Sequence, residues 1–272
     1  MKRLLNLVLI FTGVNCFGQI NYKAFFEEGS PCYRACETAY RDTRGSRSGV
    51  QGARESQMKY DSAIALCPTF ADFYYAKAIP YLKRGEFWKW RPLIDKAVEY
   101  DTIGYIGYRG ETRFMFMRDY RGAIADIELL KTKVDEIGSI YSGDYHLNCI
   151  LAFSYQGVGD TLKAIEILRR HVLSDNRGFY DYYHLGVMLF RTQQVDDAED
   201  ALLRQIEVYP FADVFYYLAL IHKLRSNKQE FEKNIEKAFE YYQNEITLRG
   251  LYSYMDYPDK IYLKQIENLI YK

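Results

Sequence analysis

Apolar residues recur along this chain on one face of successive short helices, each announced by a turn. In "GVGDTLKAIEILRR" (Gly157 to Arg170) the Gly-Asp pair reads as a helix stop and a restart, after which Ala164, Ile165 and Leu168 share a face. The same text returns as Gly85-Glu86-Phe87 in "YYAKAIPYLKRGEFWKWRPLIDKAVEYD" and as Asp119-Tyr120 in "YRGETRFMFMRDYRGAIADIELL". "YYHLGVMLFRTQQVDDAEDALLRQIEVYP" and "FYYLALIHKLRSNKQEFEKNIEKAFEYY" continue the series, and "ESQMKYDSAIALCP" supplies the second half of an earlier copy. One small residue in the first helix of each copy, Ala78, Gly110, Ala152, Gly186 and Ala219, gives spacings of 32, 42, 34 and 33. A helix pair cannot bury both of its faces alone, so such copies must stack.

The copies are not uniform. The one at Gly110 has no clear glycine before Asp119, extra residues around "VDEIGSIYSGDY" lengthen the next junction, and the first copy carries "RDTRGSRSGVQGARE" between its helices.

In period and in text the copies resemble the tetratricopeptide repeat family. The matching residues are Tyr182, Leu185, Gly186, Ala198 and Pro210 in one copy and Leu151, Ala152, Tyr155, Gly159, Asp160 and Ala164 in the copy before. The resemblance covers about residues 30–243 and implies an all-α, right-handed superhelical solenoid of about six helix hairpins. It predicts an N-terminal extension at 19–29, an array at 30–243 with an insertion at 41–54 in its first copy, and a capping segment at 244–272. In that last segment Pro258 fits a first helical turn, and Tyr262, Ile266, Leu269 and Ile270 then share a face.

The family builds its concave, partner-binding surface mainly from the first helix of each pair. Carried over position by position, the resemblance implies Tyr75, Tyr183 and Tyr216 at the first place, with Cys149 in the fourth copy. Ile79, Phe153, Val187 and Leu220 take the second place, and Leu82 and Phe190 belong to the third. The face is therefore apolar and aromatic. Two explanations stand for it: burial between neighbouring first helices, or a groove for an amphipathic helix or an extended apolar segment.

Residues 1–18 differ from the rest. Lys2 and Arg3 precede the apolar run "LLNLVLIFTGV" and the small residues of "CFGQ", which reads as a secretory signal peptide cleaved after Gly18. Cys16 offers a rival reading as a lipidated cysteine, against which stand Gly13 and Asn15 in "TGVNC". No later segment is apolar for long enough to span a bilayer. The expected location is outside the cytoplasm, periplasmic or associated with the outer membrane, with membrane contact only through a lipid anchor or an envelope complex.

Lys plus Arg total 36 and Asp plus Glu total 36, so no whole-protein field favours nucleic acid or an anionic membrane. An aromatic content of 17%, with 27 tyrosines, sets the chain apart from disordered ones. The Arg-rich insertion, with Arg41, Arg44, Arg47 and Arg54, reads as a solvated loop or as a contact for an acidic partner.

His146, His171, His184 and His222 show no short metal-ligand spacing and no neighbouring Cys or carboxylate cluster, and no phosphate loop or nucleophile elbow is present. No catalytic residue, metal or cofactor is expected. Ser30-Pro31 reads as a helix cap that puts Cys32 at the start of the first helix, while Cys67 ends the second, just before Pro68. The two ends of an antiparallel hairpin meet, so a Cys32 to Cys67 disulfide is one reading in an oxidising compartment, with Cys36 to Cys67 as its near rival; the other is four buried thiols packing as small apolar groups, as Cys149 does in either case. Asp61-Ser62-Ala63, Asp101-Thr102-Ile103 and Asp160-Thr161-Leu162 resemble a bacterial O-glycosylation sequon, which points to Thr102 and Thr161 in turns.

The resemblance implies a non-catalytic scaffold for another protein or a peptide segment, a subunit or adaptor of a cell-envelope assembly. The alternative is an envelope glycan- or small-molecule-binding protein that uses tyrosines as stacking platforms.

Overall fold

The computed structural model describes residues 24–41, 51–139, 145–249 and 258–271. Among them are thirteen α-helices and no strand, apart from an isolated bridge between Ser139 and His146. The chain is an all-α helical-repeat protein of solenoid type, in two compact units, Met1–Asp101 and Thr102–Lys272. The expected signal peptide, Cys16 and most of the Arg-rich insertion lie outside the described residues.

In the first unit α1 (Pro31–Arg41) pairs with α2 (Arg54–Leu66), and α3 (Ala71–Lys83) with α4 (Phe87–Tyr100). In the second, α5 (Thr102–Met117) pairs with α6 (Tyr120–Lys131), α7 (Leu147–Gly157) with α8 (Thr161–His171), and α9 (Asp181–Arg191) with α10 (Val195–Val208). A last hairpin, α11 (Ala212–Leu224) with α12 (Lys228–Gln243), carries α13 (Leu263–Ile270) against α12.

The small marker residues sit where the two helices of a hairpin touch. A Cβ added to Gly110 would come within 3.0 Å of Ile127 Cγ1, and one added to Gly186 within 2.8 Å of Leu202 Cγ. Ala78, Ala152 and Ala219 are likewise fully buried. Large residues close the space around them, including Trp90, Ile94, Ile127, Leu168 and Leu202.

Among the described residues, the turns of the five hairpins from α3–α4 to α11–α12 each pass through a left-handed residue. Gly85 (φ 72) and Gly159 (φ 93) take this conformation freely, whereas Arg118 (φ 51), Gln193 (φ 62) and Ser226 (φ 58) take it at a steric cost. The next residue reaches back five positions in four of the turns, for instance Asp160 N–H to the Tyr155 carbonyl at 2.9 Å. In the turn at Arg118, Asp119 N–H reaches six positions, to Arg113. Asp119, Asp160 and Asn227 then cap the following helix through their side chains. Gln193 is exposed, so Gln193→Gly sacrifices little packing; it is expected to stabilise the second unit by about 1 kcal/mol, read from urea unfolding.

Ser30 caps α1, accepting Tyr33 N–H at 3.2 Å, and Cys32 is bonded to Cys67 with a Cα–Cα distance of 5.2 Å. Cys36 and Cys149 are free and buried. Burial, then the Asp72 charge, pushes the Cys36 thiol up to about 12, leaving it little thiolate to exchange with its neighbour.

The expectation that Pro258 opens the last helix is corrected: the helix begins at Leu263, capped by Tyr262. Asp259 has φ 66, which no right-handed helix accommodates, and its carboxylate turns inward. Ile266 is the anchor of α13, while Tyr262 and Ile270 remain exposed.

Candidate functional site

The residues of the expected partner-binding face separate into two sets. Tyr75, Ile79, Phe190, Tyr216 and Leu220 are partly exposed. Leu82, Phe153, Tyr183 and Val187 are buried. The second unit holds the richer arrangement, because its first helices, α7, α9 and α11, bring a run of aromatic rings together. Phe153 stacks with Phe114 at 5.9 Å and meets the edge of His184 at 4.9 Å. Tyr183 follows, with Phe211 at 5.0 Å and Tyr217 at 5.9 Å, and Phe190 meets Tyr217 at 5.6 Å. Many tyrosines are thereby absorbed in packing.

Against this run lies the segment that leads into α13. The Asp259 carboxylate, its side chain 2% exposed, receives His184 Nδ1 at 2.9 Å and is paired with Arg191. Because a carboxylate only accepts, Nδ1 of His184 carries the proton. Tyr183 Oη donates to the Asp259 carbonyl at 2.5 Å, and Arg191 Nη2 donates to Tyr217 Oη at 3.2 Å. Burial pushes the Asp259 carboxyl up, but the hydrogen bonds and charges of His184 and Arg191 outweigh it and hold it below the ordinary carboxylate range.

A second carboxylate reads the backbone of the same segment. Asp213, at the start of α11, accepts Ile261 N–H at 2.7 Å and Leu248 N–H at 3.0 Å, and Ile261 itself is 2% exposed. Here burial wins over the two backbone bonds and raises the carboxyl to about 6. The face of α9 and α11 thus holds a stretch of chain by a carboxylate, a backbone N–H and an aliphatic side chain.

Sequence reasoning missed a further cluster. Cys149, His171 and Asp181, from three helices, place their ligand atoms within 4.8 Å of one another, all buried. His171 Nε2 lies 2.8 Å from Asp181, Cys149 Sγ donates to Asp181 at 3.2 Å, and Gly178 N–H donates to it as well. Asp181 is thereby satisfied by three protein donors, an arrangement that needs no metal. Burial pushes its carboxyl up, and the His171 bond and charge outweigh that effect, so it stays below the ordinary range.

His146 stacks on His171 with centroids 4.3 Å apart and caps α7 by accepting Asn148 N–H at 3.1 Å through Nδ1. That role requires the neutral ring, and burial, followed by the charge of His171, lowers its pKa to about 4. Between the ordinary value of 6.5 and about 4 the unfolded chain binds a proton that the folded chain refuses, so stability falls as pH drops through this window. His146→Asn keeps a capping acceptor without the titration, so its stability should fall less than the parent's between pH 7 and pH 4.5, as measured by urea unfolding. Asp213 titrates with the opposite sign in both chains and cancels from the comparison.

Thr102 and Thr161 are the first residues of α5 and α8 and are partly exposed, whereas Ser62 lies inside α2 with its hydroxyl on the Met58 carbonyl. Arg54 opens α2. No helix among the described residues is long and apolar enough to cross a membrane.

No protein-family model and no curated protein matches the sequence. Solved structures do match. PilW, described as a widely conserved type IV pilus biogenesis factor, aligns with a TM-score of 0.59 at 14% identity over 88% of this chain and 98% of its own. PilF of Pseudomonas aeruginosa gives 0.54 at 11% identity over 79% and 96%. YrrB, a tetratricopeptide repeat protein with an unusual peptide-binding site, gives 0.53 at 19% identity over 68% and 93%. With the in-phase hairpins, the small residues at their contacts and the recurrent left-handed turns, these likenesses establish that the chain is a protein of the tetratricopeptide repeat type by fold.

Proposed function

We propose that this chain is a non-catalytic scaffold that binds protein or peptide segments and serves as a subunit or adaptor of a bacterial cell-envelope assembly. One observation carries the reading: the face of α9 and α11 already holds a piece of polypeptide through groups that suit any segment of that chemistry. The peptide-binding site of YrrB and the pilus role of PilW, both similar in fold, are in keeping with it. So is the Cys32–Cys67 disulfide, which fits an oxidising compartment and the signal peptide read at 1–18. Under this reading Thr102 and Thr161 are the positions for O-linked sugar.

Affinity capture of the tagged chain from native envelopes tests the proposal. A stoichiometric protein partner is the expected result. Retention on a polysaccharide column with no protein partner would contradict it and favour the glycan-binding alternative.

A further inference from the structure

His184 and Asp259 are separated by 75 residues in sequence, and the text that reaches back across that distance is short. Asp259 supplies the carboxylate for His184 and Arg191 and the carbonyl for Tyr183. Two residues on, Ile261 supplies an N–H for Asp213 and a buried side chain. Beyond it the attachment is shallow: α13 has eight residues, of which Ile266 is the buried one, and Tyr271 next to it is 77% exposed.

The face therefore has two poles. His184 and Arg191 accept a carboxylate at the first position, and Asp213 demands a free N–H, hence no proline, at the third, where the enclosed space takes an aliphatic side chain. A basic residue at the first position would meet Arg191, and a polar one at the third would be buried without a partner. Building on the scaffold reading, we propose that the face of α9 and α11 is a recognition site for an Asp-x-aliphatic segment of a partner protein. The chain's own Asp259-Lys260-Ile261 occupies the site when the partner is absent. Binding is then an exchange of one such segment for another, and affinity is reduced by the fraction of time the internal copy holds the site.

The test uses the full-length chain with its own copy disabled, Asp259→Ala with Ile261→Ser, titrated by fluorescence anisotropy with the synthetic peptide PDKIYLKQIENLIY, residues 258–271. Saturable binding about tenfold tighter than to the unaltered chain is expected, because the internal competitor is gone. Replacing the peptide's aspartate by alanine, or adding Arg191→Ala to the protein, should each weaken it by about tenfold, as loss of a charged hydrogen bond does. Equal affinity for the altered and unaltered chains, or indifference to the peptide's aspartate, would overturn the proposal. Hydrogen exchange on the unaltered chain decides the matter if the variant does not fold. The Ile261 and α13 amides should then exchange about tenfold faster than those of α9 and α11. A common rate would make the segment a fixed part of the fold and overturn the proposal. Such a failure leaves the scaffold reading standing, because capture of a partner is measured separately.

Discussion

Tyr183→Ala is expected to cost the second unit about 3–5 kcal/mol, the range for removing a large aromatic ring from a packed interior. Tyr183 has no exposed surface, its ring lies against Phe211, Tyr217 and His184, and its hydroxyl holds the Asp259 carbonyl. Alanine leaves a cavity and unpairs that carbonyl. Tyr183→Phe separates the two contributions: it should cost about 1 kcal/mol, the value of one hydrogen bond, and loosen residues 258–261 without disturbing the helices. Tyr216, partly exposed, is expected to cost clearly less when truncated than Tyr183 does. Thermal or urea unfolding of the three variants checks the order. A Tyr183→Ala variant as stable as the parent would place this ring on an open surface rather than in the core.

Removing the Cys32–Cys67 disulfide carries the other large effect. The bond closes a loop with a sequence separation of 35, for which the chain-entropy relation gives about 4 kcal/mol. The loss falls on the first unit, where Ala35, Ala39 and Tyr40 of α1, Tyr60 and Ala63 of α2 and Phe73 of α3 form a small cluster. Tyr40 also donates its hydroxyl to Asp72 of α3, so loosening α1 unpairs a buried carboxylate. Cys32→Ala with Cys67→Ala should therefore lower the stability of this unit by about that amount, while reductant should destabilise the parent and leave the variant unchanged. Peptide mapping of the unreduced chain should join the fragments that contain Cys32 and Cys67. A Cys36–Cys67 link would contradict the structure, in which Cys36 is a buried thiol.

The repeat could be read from sequence because its signals are local and recur in phase. Ala78, Gly110, Ala152, Gly186 and Ala219 mark helix contacts wherever they occur, and all are buried. The turns at Arg118, Gln193 and Ser226 were harder to read, because a non-glycine residue in the left-handed region leaves no trace in composition. The candidate site was only half legible. Its rings follow from position in the repeat, but Tyr183 also holds Asp259, and Asp213 holds Ile261, from a segment far along the chain. Cys149, His171 and Asp181 are likewise brought together by three helices and share no motif. A useful signal was nevertheless present: Asp72, Asp181 and Asp213 each stand at the start of the first helix of a pair and each is buried. A carboxylate that recurs in the first turn of these helices and is buried each time requires a donor from elsewhere. Asp72 finds Tyr40, Asp181 finds His171, and Asp213 finds the backbone of the C-terminal segment.

The central claim, that the first helices of the hairpins present a surface for a protein partner, is tested most directly by photo-cross-linking in the native host. A photoreactive phenylalanine analogue is placed at Leu220 on α11, partly exposed beside the occupied face, and at Leu203 on α10, 49% exposed on the second helix of its hairpin. The account predicts one discrete protein adduct from position 220 and none from position 203. An adduct from position 203 with none from 220 would contradict it.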